Sequence, residues 1–487
     1  MPSSLQTRSR QFLWHPCTQM KSLESAPPLA IVRGEGAWLF DEAGERYLDA
    51  ISSWWVNLFG HANARINAAL VDQLGRIEHV MLAGCTHEPV VELSERLAQL
   101  TGLGHAFFAS DGASAVEIAL KMSFHYWCNT GKPDKTGFIS LRNGYHGESL
   151  GALSVTDVAL FRDVYAPLLR PTHQLPTPDF RAAEAGESAE AYALRAADAL
   201  EAHLAQHADN TAAFILEPLV QGAAGMAMYH PVYLSRAREI CDRHHVHLIA
   251  DEIAVGFGRT GTMFAFEQAP RLQSRASDAE TAPPSRPGAS PAESGERASC
   301  LTGTMFAFEQ APPLPLEGAG IKTVRPDFLC LSKGISGGYL PLSCVQTTDD
   351  IYAAFYGDET ARGFLHSHSY TGNPLACRAA CAVLDIFESD RVLEGNRSRA
   401  SALTEHLAEV AAHPRVRHFR HLGMIWAFDV PDAQPGFSLR WHRQSLELGV
   451  LMRPIGNAVY FMPPYVVEEE QMRLMAKTAL ELLDRVE

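Results

Sequence analysis

Two short apolar runs end in ionisable side chains. Residues 246–251 read VHLIAD and stop at Asp251; residues 328–333 read FLCLSK and stop at Lys333. Turn-forming residues follow each run, the pattern of a buried strand that delivers a side chain to a site at its tip. Taken singly, a carboxylate there is commonly a helix cap or ion-pair partner, and a lysine before glycines commonly faces water. Taken together they can do more. An amine takes a carbonyl carbon, and a carboxylate keeps a pyridine nitrogen protonated. That is the pair of groups by which a protein holds and uses pyridoxal 5'-phosphate. Among apolar strand residues and beside a cationic ring, the Lys333 amine would have a lowered pKa and be nucleophilic.

Further segments could complete such a site. Residues 111–117, DGASAVE, follow a strand and open a helix. The free N–H groups and the helix dipole there favour an anion, which makes Gly112 and Ala113 candidates for a phosphate, although an ordinary capped helix reads the same. In Asn143-Gly144-Tyr145-His146-Gly147, Tyr145 could stack on a flat ring, or pack as a turn tyrosine. Glu217 closes the strand 213–216 and could bear on the site from behind or on the substrate. Other patterns are weaker. Residues 256–261, GFGRTG, fit the dinucleotide fingerprint in letters, but no helix opens at once as that site needs. His244, His245 and His247 lack the cysteines or HExxH that would make them metal ligands, so no metal is expected. Trp54 and Trp55 are core or interface rings by default, with one of them free to line a pocket.

Strands expected at 106–109, 137–141, 213–216, 247–250 and 328–331 alternate with helices at 113–127 and 232–244. That alternation implies an α/β fold with a mostly parallel sheet. Towards the C-terminus, strands at 416–419, 424–429 and 459–462 and a closing helix at 468–484 suggest a smaller α+β unit.

The 487 residues, 46% hydrophobic and 20% charged, suit a globular enzyme with one large core or two joined domains. A net charge of -15 argues against a nucleic-acid surface. No apolar run approaches the ~20 residues that cross a bilayer, and no secretory signal is visible. The nine cysteines form no CxxC pair, consistent with reduced thiols in the cytoplasm. Residues 271–301 are poor in large apolar side chains and read as a disordered insertion. They lie between two identical copies of TGTMFAFEQAP, at 260–270 and 302–312. Only one copy can occupy the single place a fold provides, and the spelling does not say which.

The motifs DGASAVE, YHGE, ILEPLVQGAAGM, ADEIAVGFGRTG, LSKG and SYTGNPLA, in that order, resemble the class III pyridoxal-phosphate aminotransferases over nearly the whole chain outside 271–301. Within that family, WHP at 14–16, SSWW at 52–55, LSKGISGGYLPLS at 331–343, RPIG at 453–456 and YFMPPY at 460–465 are similar to one branch. That branch transfers the amino group of S-adenosyl-L-methionine to 8-amino-7-oxononanoate in biotin synthesis.

The resemblance implies fold type I, with a large domain around a seven-stranded sheet, and a homodimer with shared active sites. Residues 1–59 would begin the small domain, 60–385 would form the large one and 386–487 would complete the small one. It also implies Lys333 as catalytic lysine, Asp251 as the partner of the ring nitrogen, Gly112 and Ala113 at the phosphate, and Tyr145 beside ring and substrate. Ser367, His368 and Ser369 would reach phosphate and substrate across the interface, Trp54 would line the substrate pocket, and Arg453 would anchor a carboxylate.

Two departures stand out. After WHP the branch has a tyrosine where this chain has Cys17. Asp251 and Lys333 are 333 − 251 = 82 apart, longer than the family spacing; removing the 42-residue repeat offset leaves 40, so a further insertion is expected at 312–323. Two other readings stay open: a class III aminotransferase for an ω-amino acid or diamine, and a catalytically silent binding or scaffold protein.

Overall fold

This computed structural model describes residues 4–270, 306–307 and 324–486. An antiparallel ribbon of β1 (Ile31–Glu35), β2 (Trp38–Asp41) and β3 (Arg46–Asp49) precedes the central sheet. That sheet is built from β4 (His105–Ala109), β5 (Gly137–Leu141), β6 (His173–Leu175), β7 (Thr211–Leu216), β8 (His247–Asp251), β9 (Phe328–Leu331) and β10 (Ser343–Thr347). Its order is β4-β10-β9-β8-β7-β5-β6. Only β10 runs against its neighbours; the other pairings are parallel. The fold is thus α/β with a mostly parallel seven-stranded sheet, as the alternating pattern implies. Every residue of β7, β8 and β9 is buried, as strands covered on both faces require.

Register explains how the sheet assembles a site. Asp251 pairs with Cys330, and Ala250 with Leu216. Asp251, Glu217 and Lys333 therefore leave the sheet along one edge. It is the carboxyl edge of the parallel strands, where such sheets bind ligands.

Helix α1 (Gly112–Asn129) buries Ala115, Ile118, Ala119 and Met122 on one stripe. Helix α2 (Val232–His244) spans the very residues its periodicity predicts. In chain order, helix α3 (Pro374–Ser389) precedes and helix α4 (Glu469–Arg485) follows the C-terminal strands β11 (Arg417–Leu422), β12 (Ile425–Asp429), β13 (Val450–Leu451) and β14 (Ala458–Phe461). β11, β12 and β14 pair antiparallel, whereas β13 returns to pair parallel with β3 of the N-terminal ribbon.

The repeat resolves on steric grounds. The copy at 260–270 is packed: Phe264 is fully buried and stacks near Phe266, with ring centroids 5.9 Å apart. Its turn is clamped by Glu252, whose carboxylate oxygens accept the Ala265 N–H at 2.7 Å and the Phe266 N–H at 2.8 Å. For the second copy to take this place, the chain would have to leave between Arg259 and Thr260, which are 1% and 0% exposed. After Pro270, which is only half-buried, the chain can depart. The readings at 271–301 and 312–323, and all of the second copy except Phe306–Ala307, fall outside the described residues.

Candidate active site

A cavity of about 620 Å³ opens at the carboxyl edge of the sheet. Lys333, Asp251, Glu217, Tyr145, Gly112 and Ala113 all line it, together with Trp54, Trp55 and Cys17. Seven sequence-separated segments contribute them.

Lys333 follows β9 at φ 46°, a left-handed conformation that side-chain-bearing residues seldom adopt. Such strain persists where the surroundings enforce it. Here Ser332 Oγ donates to the Leu342 carbonyl at 2.9 Å on one side, and the left-handed Gly337 and Gly338 turn the chain on the other. The Lys333 Nζ lies 5.1 Å from the Trp55 ring centroid. Desolvation pushes the amine below the ordinary lysine value, while the carboxylates of Asp251 and Glu217 pull it back up. A larger share of neutral amine results, the form that attacks a carbonyl and takes a proton.

Asp251 is buried and oriented by a residue the sequence reading did not single out. His146 Nδ1 donates to Asp251 Oδ2 at 2.7 Å, and the Ile253 N–H donates to Oδ1 at 3.2 Å. With the proton on Nδ1, the other ring nitrogen of His146 has no partner among the described residues. The signal was its place between an aromatic residue and a glycine after a strand. Gly147 must be glycine: its φ is 122°, and a Cβ would sit 2.6 Å from the Ala113 Cβ. That close approach seats the Tyr145 loop against the start of α1. Tyr145 donates its N–H to Glu217 Oε2 at 3.0 Å and its hydroxyl to Glu148 Oε1 at 2.9 Å. Burial lifts Glu217 to about 7, against the pull of His146 and two backbone N–H groups.

At the start of α1, Asp111 Oδ1 caps the helix by accepting the Ser114 N–H at 2.9 Å. The N–H groups of Gly112 and Ala113 have no partner within the helix. A side chain at Gly112 would press on Ile253 at 3.0 Å, so the small residue keeps this face open. An amine, an oriented carboxylate and an open helix start on one cavity fit pyridoxal phosphate.

On the opposite wall, Ser52, Ser53, Trp54 and Trp55 are all left-handed, with φ of 51°, 46°, 71° and 72°. This turn presents both indoles to the cavity. The Arg453 guanidinium lies 5.0 Å from the Trp54 ring and is exposed, with its Nη2 at 3.5 Å from the Cys17 carbonyl. Burial and Glu148 push the Cys17 thiol up. Ser367, His368 and Ser369 do not line the cavity of this chain; His368 Nε2 instead lies 3.2 Å from His366 Nε2. The GFGRTG segment is a turn whose Arg259 donates to the carbonyls of Pro463 and Asn57, both at 2.9 Å. Of the histidines at 244–247, His244 pairs with Glu201 and His247 with Ser123.

The family model for class III aminotransferases matches residues 20–273 and 299–482. The chain belongs to the class III aminotransferases. It is 40% identical over 483 residues to the adenosylmethionine-8-amino-7-oxononanoate aminotransferase of Helicobacter pylori, covering 98% of this chain and 97% of that one. The enzyme of the same name from Aquifex aeolicus is 36% identical, with 98% and 96% covered. The crystal structure of the Methanocaldococcus jannaschii enzyme of that name superposes with a TM-score of 0.83 at 32% identity, covering 99% of both chains. An omega transaminase from Pseudomonas jessenii, in complex with PMP, superposes with the same 0.83 at 26% identity, covering 99% and 98%. As a class III aminotransferase, this chain is a pyridoxal-phosphate enzyme.

Proposed function

We propose that this class III aminotransferase transfers the amino group of S-adenosyl-L-methionine to 8-amino-7-oxononanoate, forming 7,8-diaminononanoate for biotin synthesis. The observation that carries this reading is full-length identity of up to 40% to enzymes of that name, with an exposed arginine, Arg453, against the cavity-lining Trp54 and available to a carboxylate. Pyridoxal 5'-phosphate, when bound, supplies the carbonyl that takes amines and the electron-accepting ring.

The chain's own residues do the rest. Lys333 would hold the cofactor through its amine, and that amine, when free, would take a proton from the substrate carbon and give it back as general base and acid. Asp251, fixed by His146, keeps the ring nitrogen protonated. Gly112 and Ala113 offer N–H groups to the phosphate. Tyr145 and Trp54 flank the substrate, and Arg453 takes the carboxylate of 8-amino-7-oxononanoate as a bidentate pair.

His368 and Ser369, on a loop outside this chain's own cavity, are assigned to the cofactor of a second copy in a homodimer, and Ser367 to its substrate. The small domain is assigned to 1–59 and 386–487 and the large one to 60–385, a division supported by the pairing of β13 with β3. A cytoplasmic location agrees with the eight described cysteines, all free thiols; among the described residues no helix is long and apolar enough to cross a membrane.

The test is a product assay. With S-adenosyl-L-methionine as donor, the purified protein converts 8-amino-7-oxononanoate to 7,8-diaminononanoate, and the visible absorbance of its lysine-bound cofactor falls when donor alone is added. Turnover with β-alanine or a diamine and none with S-adenosyl-L-methionine favours the second reading, an ω-amino acid or diamine aminotransferase. Cys17, in place of the branch's tyrosine, and the equal superposition of the omega transaminase speak for that alternative.

A further inference from the structure

The left-handed turn at Ser52–Trp55 is costly to hold. For residues bearing a Cβ, this conformation is normally visited singly, and here it runs through four residues in succession. Something must over-determine it. The strongest polar brace is Asp49, at the end of β3 and fully buried. Its Oδ1 accepts the Ser53 N–H at 2.9 Å, and its Oδ2 accepts the Ser53 hydroxyl at 2.7 Å. His61 Nε2 donates to the same Oδ2 at 3.0 Å, and His61 Nδ1 then accepts from Asn57 Nδ2 at 3.1 Å. The carboxylate is thus held from behind while it grips Ser53. Neither Asp49 nor His61 lines the cavity.

The consequence falls on two rings with different tasks. Trp54 stacks with Arg453 at 5.0 Å, and Trp55 lies 5.1 Å from the Lys333 Nζ, its own Nε1 donating to the Tyr460 hydroxyl at 3.1 Å. Trp55 is tied elsewhere and buried. Trp54 is 43% exposed, and among the described residues no hydrogen bond fixes its ring. Its direction is set by the backbone, and the backbone at Ser53 is set by Asp49. We propose that Asp49 is a positioning residue that, through the left-handed Ser53, aims Trp54 and with it the Arg453 guanidinium, so that it governs recognition of the substrate's carboxylate. This rests on Arg453 being the carboxylate anchor. It assigns to the Asp49–His61 pair a role in choosing carboxylate-bearing over carboxylate-free partners.

The experiment compares wild type, Asp49→Asn and Ser53→Ala as holoenzymes. Each is given the carboxylate-bearing acceptor and a carboxylate-free analogue, and near-ultraviolet circular dichroism of the tryptophans is recorded without substrate. In Asp49→Asn, KM for the carboxylate-bearing acceptor rises about tenfold with kcat little changed, while KM for the analogue moves less than about twofold. The tryptophan dichroism changes and the cofactor's visible spectrum does not. Ser53→Ala, which removes only the hydroxyl arm, shows the same split at smaller size and covers the case in which the Asp49 variant fails to fold. Equal KM changes for both acceptors, or unaltered dichroism in both variants, would overturn the proposal. If wild type itself does not discriminate between the acceptors, the carboxylate reading of Arg453 has failed, whereas the dichroism still reports whether Asp49 holds the turn.

Discussion

At the scale of single residues, the site turns on an amine made available by burial and a carboxylate kept in one orientation. Lys333→Ala removes the group that holds the cofactor and moves the proton. Product formation should fall by about a thousandfold or more, and the visible absorbance of the lysine-bound cofactor should vanish. Glu217 adds a dependence on pH. Its folded-state value of about 7 lies above its ordinary 4.5. The stability it contributes is therefore full below about 4.5 and is lost as pH rises through about 7, because the unfolded chain then releases a proton that the fold retains. The 2.5-unit gap corresponds to about 3 kcal/mol. Glu217→Gln should flatten the decline of melting temperature between pH 4.5 and 7, measured by calorimetry on both proteins. Lys333 and Asp251 were readable in the sequence because each ends an apolar run. The His146–Asp251 bond was not, since it joins residues 105 apart and only the folded sheet brings them together. Asp49 was invisible for a related reason: four left-handed residues spelled Ser-Ser-Trp-Trp carry no glycine to announce them.

At the scale of elements, legibility followed length and burial. Helix α2 was read to the residue because a proline precedes it and Arg243 and His244 close its last turn. β7, β8 and β9 were read as strands from continuous apolar runs. β6 is three residues long and β10 reads Ser-Cys-Val-Gln-Thr, so neither has a run of apolar residues to mark it. β10 becomes a strand because its antiparallel slot between β4 and β9 satisfies its backbone, with Gln346 accepting the Thr101 hydroxyl at 2.7 Å. The repeat gives this scale a sharp test. Phe264 and Phe306 occupy equivalent positions in identical segments. Phe264→Ala should cost about 3–5 kcal/mol, as deletion of a buried ring does. Urea titrations of the variant and wild type, run side by side, measure the loss.

At the scale of the whole molecule, N- and C-terminal segments are tied together around the cavity. β13 pairs with β3, Ser52 Oγ donates to the Met462 carbonyl at 2.7 Å, and Arg259 bridges the carbonyls of Asn57 and Pro463. The cavity wall that carries Trp54 is therefore built by residues more than 400 positions apart, and it cannot form until the C-terminal strands arrive. Between Pro270 and residue 324 the described residues are Phe306 and Ala307, which pair with Arg420 and His421 of β11 and lie outside these ties. Deleting 271–301, which keeps that pairing segment, should leave the melting temperature within about 2 °C of wild type and the cofactor spectrum intact, checked by thermal melts and absorbance.

Pro270, half-buried, is the last described residue before the insertion, and its carbonyl accepts the Ser235 hydroxyl of α2. That anchored departure point doubles as a docking port for engineering. A fluorescent reporter or affinity handle spliced immediately after it would hang from a root tied to α2, at a residue that does not line the cavity. Cargo could be exchanged there without rewriting any wall of the reaction chamber.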